Sequence, residues 1–89
     1  MTALAAAVSR RPRWEYDPAA DQAQLAPGGI DDRDWPIGPW ALVTPERDGS
    51  FFWVAQQLPG AVKTLRGSTS DPDAALDAAE RAVDAAVVR

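Results

Sequence analysis

Residues 40–58 read WALVTPERDGSFFWVAQQL, and this stretch decides the fold. Alternate side chains of an extended chain fall on opposite faces. From Phe51 to Leu58, Phe51, Trp53, Ala55 and Gln57 share one face, and Phe52, Val54, Gln56 and Leu58 the other. Both faces open apolar and close polar, the pattern of a central strand or of one covered on both sides. Before it, Trp40–Thr44 is an apolar run of strand formers. The link between the two carries Pro45 and Asp48-Gly49, the pair that supplies the positive φ of a tight hairpin. After it, Pro59-Gly60 is a second turn signal. Ala61–Arg66 then alternates, with Ala61, Lys63 and Leu65 on one side and Val62, Thr64 and Arg66 on the other. Two short turns between three strands imply an antiparallel meander, because parallel strands need a long crossover.

A helix follows. Gly67-Ser68-Thr69-Ser70 reads as a loop, and Asp71-Pro72 places a capping carboxylate before a proline at the first helical position. Asp73 adds negative charge at the positive end of the helix dipole. The run from Ala74 to Val88 is rich in alanine, the best helix former. Leu76, Ala79, Val83 and Val87 fall on one stripe, widened by Ala75, Ala82 and Ala86. Asp73, Asp77, Glu80, Arg81 and Asp84 fall on the other side.

The expected fold is therefore α+β: a three-stranded antiparallel meander packed by one C-terminal helix, preceded by a Pro/Gly/Trp-rich segment. Residues 1–39 are expected as an irregular arm partly packed on the sheet, and residues 40–89 as the β-β-β-α domain. Residues 2–8, TALAAAV, suit a short helix capped by Thr2, although so short a helix is marginal alone. Asp21–Leu25 suits one helical turn or a short strand.

Composition narrows the function classes. The chain has 89 residues, no cysteine and no histidine. That excludes a disulfide framework, a thiolate metal site, a Cys nucleophile and the commonest general base. An enzyme would have to rest on Asp and Glu alone, and the expectation is a chain that is not an enzyme and holds no cofactor or metal. No apolar run approaches the ~20 residues that span a bilayer. The arginines at positions 10, 11 and 13 follow the first apolar stretch instead of preceding it, the wrong order for a secretory signal. A cytoplasmic protein is expected. Arg33 interrupts Asp31, Asp32 and Asp34 without the offsets or the closing Glu of a calcium loop, so a solvated acidic turn is expected. Neither Gly28-Gly29 nor the run at residues 67–70 has the pattern of a phosphate loop.

The strand meander, the Trp53-bearing central strand and the run from Gly67 to Leu76 (GSTSDPDAAL) resemble small actinobacterial and actinophage ββα-type proteins of unknown function, over residues 40–88. The same topology is similar to the N-terminal arm-binding domain of phage tyrosine integrases, which reads DNA with a three-stranded sheet. It is also similar to double-stranded-RNA-binding domains, whose lysine-rich helix start is replaced here by Asp71, Asp73 and Asp77.

Two functional expectations result. The first is a non-enzymatic protein-interaction module, a small phage or actinobacterial accessory protein that binds a host protein or itself. Its candidate partner-binding residues are the surplus aromatics Trp14, Trp35 and Trp53. The strands Trp40–Thr44 and Ala61–Arg66, read as sheet edges, would pair across a dimer axis. Trp35 and Trp40 either close the open sheet face or form the binding surface. The alternative is DNA binding by the sheet face through Arg47, Lys63 and Arg66, with Arg10, Arg11 and Arg13 as a basic arm touching phosphates. Net charge is −4, and the acidic helix exterior disfavours that alternative.

Overall fold

The computed structural model describes residues 1–57 and 64–87, with the backbone only at 86 and 87. Helix α1 (Ala3–Val8) is followed by strands β1 (Glu15–Asp17), β2 (Gln22–Leu25), β3 (Trp40–Pro45), β4 (Phe51–Gln56) and β5 (Thr64–Thr69), then by helix α2 (Pro72–Val87). The strands form one antiparallel sheet in the order β1-β2-β3-β4-β5. The expected meander is thus two strands short. Residues 1–39 supply a helix and two strands to the same sheet, not an irregular arm.

The extra strands come from short alternating segments. In Gln22-Ala23-Gln24-Leu25, Ala23 and Leu25 are buried while Gln24 is exposed, and Ala23 sits opposite Val43 and Leu25 opposite Ala41. β1 pairs Tyr16 with Ala23. The turn between them holds Asp21 at a φ of 51°, and Asp17 Oδ1 accepts the Ala19 N–H at 3.0 Å.

The expected β3–β4 hairpin forms. Gly49 takes a φ of 88°, Glu46 N–H donates to the Ser50 carbonyl at 2.8 Å, and Asp48 Oδ1 accepts the Ser50 N–H at 2.9 Å. Among the described residues β5 covers Thr64–Thr69, so the loop expected at 67–70 is largely strand. Ala61–Lys63 and Leu58 lie outside the described residues.

Helix α2 starts where Asp71-Pro72 signals it, and Asp71 Oδ1 accepts the Asp73 N–H at 3.4 Å. Its buried residues are Ala75, Leu76, Ala79, Ala82 and Val83. They join Ala23, Leu25, Ala41, Val43, Phe51 and Ala55 in one core. Alanines on both layers let helix and sheet approach closely. Helix α1 closes one flank: Thr2 Oγ1 accepts the Ala5 N–H at 3.1 Å, and Leu4, Ala7 and Val8 are buried. Its lone-helix weakness is offset by this packing. Burial of Leu4, Leu25, Leu76, Val43 and Val83 contributes on the order of 1.5–3 kcal/mol each.

Candidate functional site

Helix α2 covers only one sheet face. The opposite, outer face follows from the register. One row crosses all five strands: Glu15, Gln24, Leu42, Val54 and Arg66, each opposite the next. Beside it, Thr44, Phe52 and Ser68 are opposite one another, as are Trp40, Gln56 and Thr64 on the other side. Trp40, Leu42, Phe52 and Val54 therefore form an apolar stripe along β3 and β4. No helix or strand among the described residues packs on it, and each of the four side chains is partly open to solvent. The stripe is bordered by acid on β1, where Glu15 and Asp17 are exposed, and by exposed Arg66 on β5.

The β2–β3 connection builds a flap at one end of this face. Ile30 bridges Pro36, Asp31 N–H donates to the Trp35 carbonyl at 2.8 Å, and Ile37 N–H donates to the Gly29 carbonyl at 2.9 Å. The Asp31 carboxylate accepts the backbone N–H groups of Arg33 at 2.8 Å and Trp35 at 3.0 Å. These bonds make a small hairpin whose sequence, with its prolines and glycines, reads as an irregular loop. A Cβ on Gly28 would lie 2.1 Å from the Ile37 carbonyl oxygen, so only glycine fits there. The flap holds Ile30, Trp35 and Ile37 at 56%, 66% and 51% exposure, an ordered apolar display rather than a core. Between flap and sheet runs an open groove of about 870 Å³, lined by Ile30, Trp35 and Pro36 from the flap and by Trp40, Leu42 and Gln56 from the sheet. Trp40 Nε1–H donates to Gln56 Oε1 at 2.9 Å and fixes the indole in the groove wall.

The three tryptophans singled out from sequence lie in three different places. Trp35 is at the groove. Trp14 is 5% exposed, and its Nε1–H donates to Glu80 Oε1 at 2.8 Å, so it anchors the α1–β1 connection to α2. Trp53 lies on the inner face and packs against the core, over Gly67. Trp40, expected from sequence either to close the sheet face or to form a binding surface with Trp35, is a groove wall. The signal that separates these roles is register: Trp40 falls one step out of phase with Ala41 and Val43, which face α2.

The arginine arm is engaged within the chain. Arg10 meets Asp73 at 2.9 Å, Arg11 meets Asp77 at 2.7 Å and Asp73 at 3.3 Å, and Arg13 meets Asp84 at 2.8 Å and Glu80 at 3.6 Å. These carboxylates recur at helical spacing along one side of α2, which makes the clasp a ladder. The Arg13 hydrogen bond holds the Asp84 carboxyl below its usual range. Partial burial pulls the Arg11 guanidinium down, but the bonds and charges of Asp77 and Asp73 outweigh it and leave its pKa raised. Of the other basic residues, Arg47 is exposed at the β3–β4 turn, Arg66 is exposed on the outer face, and Lys63 lies outside the described residues. Among the described residues, the basic side chains expected to meet DNA are therefore not gathered on one surface.

A strand expected as a sheet edge is also relocated. β3 is interior, paired on both sides by β2 and β4, and cannot pair across a dimer axis. The edges are β1 and β5. Among the described residues, no group of three Asp or Glu is placed to hold a metal ion. No helix among the described residues is long and apolar enough to cross a membrane. No family model matches the chain, and no curated protein and no solved structure matches it.

Proposed function

We propose that the chain is a protein-interaction module that binds through the outer face of its sheet. The observation that carries this reading is the uncovered apolar stripe of Trp40, Leu42, Phe52 and Val54, continued by the ordered, exposed Trp35 of the flap. Contiguous apolar surface on an otherwise charged small domain marks an interaction site, and aromatic side chains beside a polar rim are the usual anchors. An accessory role in the cytoplasm of an actinobacterial cell, for the cell or its phage, is part of this proposal. No second reading is favoured, because the arm that would meet phosphates is spent on α2.

Photocrosslinking tests this. A benzoylphenylalanine is placed at Phe52 on the outer face and, as a control, at exposed Arg81 on α2, in the full-length protein expressed in an actinobacterial cell. The expected result is a discrete protein adduct from position 52 that disappears on Leu42→Asp and has no counterpart at position 81. Equal labelling from both positions, or none from 52, overturns the proposal.

A further inference from the structure

The outer face carries a charge gradient as well as an apolar stripe. Its central row runs from Glu15 on β1 through Gln24, Leu42 and Val54 to Arg66 on β5. The second acidic group, Asp17, is also on β1, and both acids and Arg66 are exposed. The face thus carries two acids at one edge, apolar side chains in the middle and one arginine, Arg66, at the other.

Such a face is complementary to itself in one orientation. Two copies stacked face to face by a two-fold axis perpendicular to the strands would set β1 against β1, acid over acid. An axis parallel to the strands reverses the strand order of the second copy and sets the acidic edge of each over the basic edge of the other. With that axis between β3 and β4, Leu42 of each copy lies over Val54 of the other. Thr44 covers Phe52, Trp40 covers Gln56 and Gln24 lies over Arg66, while Glu15, one strand spacing further out, meets Arg66 diagonally at the rim. Like-charge juxtaposition works against the first arrangement, and opposite charge favours the second.

Resting on the proposed binding role of this face, we infer that its occupant is a second copy of the same chain, docked sheet on sheet about a two-fold axis parallel to the strands. Two sheets packed this way lie ~10 Å apart with strands crossing at about 30°. The flaps, bordering β2 and β3, then lie over the β4 and β5 side of the opposite copy, which covers Trp35. About that axis four strands of each copy overlap, and at ~4.8 Å spacing with about six residues at ~3.4 Å they give a flat footprint of ~390 Å² per copy. Doubled, that is ~780 Å², the size of a weak, transient contact. The dimer is reversible, with a dissociation constant on the order of 100 µM, not permanent. The same interface is isologous, so every contact occurs twice.

Sedimentation velocity from about 5 µM to 1 mM tests the inference. The wild type is expected to pass from monomer to dimer across this range. Arg66→Glu and Glu15→Arg, each at an exposed site, weaken association about five- to tenfold, because each reversal acts at two symmetric pairs of modest energy. The double variant Glu15→Arg/Arg66→Glu returns to within about twofold of wild type. Within one copy these residues lie on opposite sheet edges, so only contact between copies produces that rescue. Circular dichroism confirms that each variant folds, and neutral Glu15→Gln and Arg66→Gln give intermediate weakening. A wild type that stays monomeric at 1 mM, or single reversals with no rescue in the double variant, overturns the dimer. The mass of the position-52 photoadduct separates the two claims: twice the chain mass supports the dimer, and a different mass overturns it while leaving the protein-binding role intact.

Discussion

Gly67 is a strand glycine with a specific partner. It lies opposite Trp53 across β4 and β5. A Cβ built at Gly67 would lie 2.8 Å from Trp53 Nε1, 3.0 Å from Cε2 and 3.2 Å from Cζ2. Ordinary contacts begin near 3.4 Å, so Gly67→Ala forces the indole to move by several tenths of an ångström. The ring is rigid and packed against the core, so relief requires loosening that packing. Overpacking of this kind costs about 1–3 kcal/mol. Against it, Gly67 does not have a left-handed φ. Alanine there is unstrained and contributes about 0.4–1 kcal/mol by restricting the unfolded chain. The net expectation is a loss of about 0.5–2 kcal/mol, or roughly 3–15 °C in Tm for a domain of this size. Urea unfolding followed by far-UV circular dichroism measures it. In a Trp53→Leu background the clash is gone, and Gly67→Ala should become neutral or stabilising, giving a coupling energy of about 1–3 kcal/mol. The same destabilisation in both backgrounds would refute the steric argument.

Two further outcomes concern the clasp. Arg11→Ala should lower stability by about 1 kcal/mol in chemical denaturation, since Arg11 is 19% exposed and bonds both Asp73 and Asp77; Arg10→Ala, 62% exposed with one ion pair, should change it by only a few tenths. The depressed Asp84 carboxyl contributes stability above its ordinary value of 3.8, lost as pH falls through the lower folded-state value. Thermal melts between pH 5 and pH 2 should therefore show a smaller loss for Arg13→Gln than for wild type; equal losses would mean the Arg13 bond is not formed in solution.

What the sequence reveals of this fold tracks signal strength. Asp71-Pro72 and the alanine stripe place α2 to within two residues, because capping and helical periodicity act locally. Asp48-Gly49 and the apolar runs on either side give β3 and β4. β1 and β2 are only three and four residues long, and their strand character comes from pairing, β2 with β3 and β1 with β2, rather than from β-branched content. Gly67 reads as a breaker because nothing local reveals that Trp53 fills the space above it. The clasp leaves a readable trace, three arginines and a ladder of acids at Asp73, Asp77, Glu80 and Asp84. Each also reads as solvated charge until the chain brings them together. The candidate face is split in the same way: Trp35 is conspicuous in sequence, but the roles of Trp40, Leu42 and Val54 depend on which face β2 and α2 leave open.

The claim that binding belongs to the outer face is tested most directly by methyl-resolved NMR over a dilution series. Leu42 and Val54 methyls point to the open side, whereas Val43, Leu76 and Val83 are sealed between the sheet and α2. The account predicts concentration-dependent shifts for Leu42 and Val54 with the other three unchanged. Shifts confined to α2, or spread evenly over all five, would contradict it.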